Sequence, residues 1–136
     1  MREVLLAATL LLPLALPLTA LAQSTQSPAL SFVEPKDGAT VRSPFRVKLA
    51  VVGMEVAKAG AVVPNSGHHV LIINGDAVPE GQPIPADPTH LHWGKGQTEQ
   101  KIRLPAGQYK LTAQFANGAH QSYGPAVSQT ITVTVK

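Results

Sequence analysis

Five histidines, His68, His69, His90, His92 and His120, are the residues of this chain whose type and spacing suit a shared metal ion. Neutral imidazole binds zinc, copper, iron and nickel, and a site forms when a fold brings distant histidines together. His90 and His92 stand one residue apart in "DPTHLHWGKGQTEQ". On a strand they project from the same face, roughly 6.6 Å apart along the chain, so the pair can chelate one ion without bending the backbone. His68 and His69 are adjacent and point to opposite faces of any strand, so at most one of them joins that pair unless the chain bulges. Met54 offers a thioether, which adds a preference for Cu(I). The bland use of such residues is hydrogen bonding to backbone or water at strand ends and in loops. The chain has no cysteine, which excludes thiolate metal sites, cysteine nucleophiles and disulfides.

Asp87, in "ADPTH", has two readings: an Asx-turn before Pro88, or a partner that orients the ring of His90 behind a metal. Ser66, in "PNSGHH", lacks a nucleophile elbow or similar context, so no catalytic residue is expected.

These residues must be positioned by strands. "FRVKLAVV" (45–52) alternates Phe45, Val47, Leu49 and Val51 against Arg46 and Lys48, as a half-buried strand requires. "QYKLTAQF" (108–115) and "SQTITVTV" (128–135) alternate in the same way. "HHVLIIN" (68–74) is apolar on both faces, which suits a central strand covered on each side. "LSFVEP" (30–35), "THLHW" (89–93) and "QTEQKIRL" (97–104) complete seven predicted strands. Residues 77–89 carry Pro79, Pro83, Pro85 and Pro88 and form a stiff extended loop that cannot enter a central sheet.

Seven short strands separated by turn signals predict an all-β fold, an immunoglobulin-like β-sandwich. In "LPAGQY" the turn before Tyr109 resembles the tyrosine corner of such folds. In that topology the connections after the second, fourth and sixth strands lie at one end of the sandwich. Met54 follows the second predicted strand, His68 and His69 open the third, His90 and His92 close the fourth, and His120 lies between the last two. All six therefore map to one end. Alternation turns Trp93 toward the core and His90 and His92 away from it.

The first 22 residues combine Arg2, an apolar run from Val4 to Leu18 and the ending Ala20-Leu21-Ala22, the pattern of a cleaved secretory leader. Pro13 and Pro17 interrupt the run, which is short for a membrane anchor. The expected organisation is a leader (1–22), a polar linker (23–29) and a single domain (30–136), periplasmic or secreted, with no membrane span after cleavage. Removing Arg2 and Glu3 with the leader leaves the net charge at +3, spread without a basic stripe and with one Trp, two Tyr and three Phe. A nucleic-acid partner is not expected from such a distribution.

"VVGMEVAKAG", "SGHHVLIING", "PIPADPTHLHWGKGQTEQKIRLPAGQY" and "VSQTITVTV" together resemble the bacterial secreted family called domain of unknown function 4399. The resemblance implies an exported β-sandwich without an assigned activity. The family pattern has a third histidine where this chain has Val70, and a histidine where it has Tyr109. If members bind metal, His68, His69, His90, His92 and His120 are the matching set here.

Two functions follow as expectations. One is a periplasmic metal-binding protein, copper ahead of zinc, with His90 and His92 as central ligands, His68 or His69, His120 and Met54 completing the shell, and Asp87 behind it. The other is a metal-free interaction module in which the histidine-rich end and the Pro-rich loop contact an envelope protein or glycan.

Overall fold

A computed structural model describes residues 8, 10–17 and 26–136. The expected leader, and the linker up to Thr25, fall mostly outside these residues. Among the described residues no helix is long and apolar enough to cross a membrane.

The described chain is all-β apart from one 3-10 turn, Pro125–Val127. Its strands are β1 (Ala29–Glu34), β2 (Thr40–Val41), β3 (Phe45–Val52), β4 (Glu55–Val56), β5 (Ser66–Ile73), β6 (His90–His92), β7 (Glu99–Ile102), β8 (Gly107–Ala116) and β9 (Ser128–Val135). Each of the seven predicted segments carries a strand. The two additional strands, β2 and β4, are two residues long and arise from parallel pairing, β2 with β9 and β4 with β5.

The strands form two sheets. One has the order β1-β3-β7, and the other β2-β9-β8-β5 with β4 and β6 both along the far side of β5. Alternation supplies the layer between them. Phe32, Phe45, Val47, Leu49 and Ile102 of the first sheet meet Leu71, Leu111, Ala113, Phe115, Ile131 and Val133 of the second in one buried cluster. Each Val, Leu, Ile or Phe side chain among them removed from water contributes about 1.5–3 kcal/mol, so this two-layer core drives the fold. Tyr109 packs against its edge, and its hydroxyl donates to the Pro105 carbonyl at 2.8 Å.

Two features of the second sheet shape the functional end. First, β5 is buried at all eight positions. Its outer face is covered by the Pro-rich segment, where Ile84 and Val78 pack on Val70, Ile72 and Ala116. This strap is tied to the β8–β9 connection by backbone bonds, including Ile84 N–H to the His120 carbonyl at 2.9 Å and Ser122 N–H to the Gln82 carbonyl at 2.9 Å. The prolines keep it extended, and Ile84 is its apolar anchor.

Second, residues 57–60 cross the strand ends. Ala57, Ala59 and Gly60 donate their N–H groups to the carbonyls of Gly67, Gly94 and Gly118. Glycine is needed where this crossing is tightest: a Cβ on Gly118 would stand 2.1 Å from the Ala61 carbonyl oxygen.

Candidate metal centre

Register places the histidines. β6 runs antiparallel to β5, with His92 opposite Val70 and His90 opposite Ile72. Leu91 and Trp93 then face the core, as alternation requires, and both pack there. His92 is on the outer face together with His68, two residues from Val70 toward the start of β5. His120 arrives from the turn after β8. In that turn the Asn117 side-chain oxygen accepts from the N–H groups of Ala119 and Gln121, and His120 N–H donates to the Asn117 carbonyl. His120 has φ 63°, the left-handed region that costs a non-glycine residue on the order of 1 kcal/mol or more and that clusters at functional sites.

The result is a convergence of three rings. His68 Nε2 lies 3.2 Å from His92 Nδ1, and His120 Nδ1 lies 3.1 Å from the same atom. One nitrogen from each of His68, His92 and His120 falls within 4.8 Å of the other two. His92 is held from behind, since its Nε2 lies 2.8 Å from the Pro85 carbonyl oxygen. A carbonyl only accepts, so Nε2 carries the proton and Nδ1 of the neutral ring is a bare lone pair aimed at the other two rings. That fixing of the tautomer by a backbone carbonyl is the support a metal-ligating imidazole ordinarily has.

Nitrogens 3.1–3.2 Å apart and each about 2.0–2.1 Å from one ion subtend about 100° at it, an angle compatible with tetrahedral coordination.

Electrostatics agree with a site of neutral ligands. Burial, with the nearby His120 and His92, pushes the His68 pKa down to about 4. His92 is also lowered, first by burial, although its bond to Pro85 opposes the shift. The His68 ring therefore stays neutral through the range in which free imidazole charges, and only a neutral imidazole ligates.

The remaining expected ligands are placed differently. His90 shares a face with His92 but sits farther along the strand from His68, and its Nδ1–H donates to Asp87 Oδ1 at 2.8 Å. It is not part of the convergent group of His68, His92 and His120: strand pairing joins His92 to β5 instead of to its own neighbour. Asp87 accepts from Thr89 N–H as an Asx-turn at 2.9 Å and also accepts from His90, but since His90 lies outside the convergent group this bond does not place Asp87 behind a metal ligand. His69 faces the core, with ring centroids 6.1 Å from Trp93 and 5.2 Å from Phe115. Met54 packs against that same core. Ser66, buried, donates its hydroxyl to the Val63 carbonyl at 2.9 Å. Sequence reasoning missed the backbone groups that hold the triad, the carbonyl of Pro85 and the N–H of Ile84. The visible signal was an isolated isoleucine among prolines.

A family model described as "Domain of unknown function (DUF4399)" matches residues 47–136. The chain belongs to this family. The DUF4399 match begins inside β3 and takes in the triad, the Pro-rich strap and the 57–60 crossing. No curated protein and no solved structure matches the chain.

Proposed function

We propose that this DUF4399 protein is an exported, non-catalytic metal-binding protein whose ion lies between His68 Nε2, His92 Nδ1 and His120 Nδ1. The observation that carries the reading is the meeting of three ring nitrogens around His92, whose tautomer is fixed by Pro85. Three imidazoles suit copper and zinc, and divalent copper outranks zinc at a nitrogen site of given geometry, so copper leads. Met54, partly buried and packed against the core, adds nothing to that preference. The leader pattern of residues 1–22 supports a periplasmic or secreted location. The Tyr109–Pro105 bond supports an immunoglobulin-like form of the sandwich.

The second reading, a metal-free module that contacts an envelope protein or glycan, draws on exposed Val62 and Val63, which follow the segment packed against Gly118. Titrating chelator-stripped protein with Cu(I), Cu(II) and Zn(II) separates the two. Metal binding predicts uptake of one ion per chain that is lost in His92→Ala. Equal, weak uptake by wild type and variant leaves the interaction module.

A further inference from the structure

We propose that the ion in this centre carries a fourth ligand from solution, a small anion, at a position open to solvent; the inference rests on the metal-binding reading above. Three observations support it. The first is the number of donors. Among the described residues the convergent group holds three histidines and no carboxylate. Structural zinc-type sites are closed by four protein donors, whereas three leave a position for an exogenous ligand.

The second is a gradient of exposure. His68 is fully buried, His92 is half-buried and His120 is exposed. His68 therefore forms the floor of the centre, on a strand covered by the Pro-rich strap, and His120 forms its rim on a turn. The ion is shielded on the side of β5 and accessible on the side of the β8–β9 turn.

The third is charge. Three neutral imidazoles bring no negative charge, so a bound divalent ion keeps its full +2 beside a buried strand, and an uncompensated charge there is costly. Asp87 is occupied: its Oδ1 accepts from Thr89 N–H at 2.9 Å, from the Thr89 hydroxyl at 3.0 Å and from His90 at 2.8 Å. An anion from solution supplies the compensation that the described residues do not. Such a site exchanges its outer ligand freely, which fits an ion that is handed on more than one that holds the fold together.

The test loads the purified protein with one equivalent of Cu(II) and titrates sodium azide, following absorption and electron paramagnetic resonance. The expected result is a new azide-to-copper charge-transfer band that saturates at one azide per copper, with changed copper hyperfine splitting. If copper binds one per chain and azide changes neither spectrum, the coordination sphere is closed and this inference fails while the metal-binding reading stands. A band that appears only in Asp87→Asn identifies that carboxylate as the closing ligand and likewise overturns it. Absence of stoichiometric copper uptake overturns both.

Discussion

His68 and His69 are neighbours on one strand, and burial pushes both pKa values down to about 4. Their surroundings nevertheless give them opposite roles. His68, on the outer face, directs Nε2 to two other histidines. His69, on the inner face, is enclosed by Trp93 and Phe115, and neither of its ring nitrogens has a hydrogen-bond partner among the described residues. The comparison shows that burial alone does not bring a histidine into a convergent group. What distinguishes His68 is convergence, created by the pairing of β6 beside β5 and by the left-handed turn at His120.

The same substitution at the two positions sharpens this contrast most. Replacing His68 by Phe removes a proposed ligand and is expected to lower metal affinity by a hundredfold or more, an effect beyond the 10–100-fold usual for outer partners of a metal. His69→Phe removes two unpartnered buried polar atoms at similar shape and is expected to raise stability by about 1–2 kcal/mol. It should leave metal affinity unchanged. Calorimetric titration and urea unfolding of the two variants read both effects; metal loss in His69→Phe would break the comparison.

Acid provides the next test. In the unfolded chain both imidazoles titrate near the ordinary 6.5, and in the folded protein near 4. The unfolded state thus binds more protons, so stability present above about pH 6.5 declines as the pH falls toward 4 and these groups cost nothing further below that. The loss is at most about 3–4 kcal/mol per histidine. Urea midpoints of metal-free protein at pH 7.5 and 4.5 should differ accordingly, and His69→Phe should show a smaller drop. At His68, competition between proton and metal begins below the usual imidazole range.

Gly118→Ala is smaller in effect and local to the outer face. Its Cβ would meet the Ala61 carbonyl oxygen at 2.1 Å, so either the 57–60 crossing or the His120 turn must shift. The expected cost is about 1–3 kcal/mol of stability together with weakened metal binding. The smallest effect is expected for His90→Ala, which removes a partly exposed pair with Asp87 and no ligand. Stability should fall by at most about 1 kcal/mol, and metal affinity should stay within about twofold.

Much of this architecture was legible in the sequence. Alternation in 45–52, 108–115 and 128–135 marks β3, β8 and β9, and the apolar character of 68–74 marks a strand covered on both faces. Chain order also brought His68, His92 and His120 to one end. The two-residue strands β2 and β4 were not legible, because Thr40-Val41 and Glu55-Val56 have no periodicity and owe their geometry to the partner strand. The choice among five histidines was hidden for a similar reason. It depends on which strand β6 pairs with and on the capture of His90 by Asp87, and neither is written in local spacing.

The central claim is that one face of β5, and not the other, builds a metal centre with His92 and His120. Histidine ring 15N NMR, recorded as Zn(II) or Cu(I) is added to one equivalent, tests it most directly. The account predicts large changes at His68 Nε2, His92 Nδ1 and His120 Nδ1, with the His69 and His90 rings unmoved. Metal-induced changes centred on His90 or His69, or small uniform changes across all five rings, would contradict it.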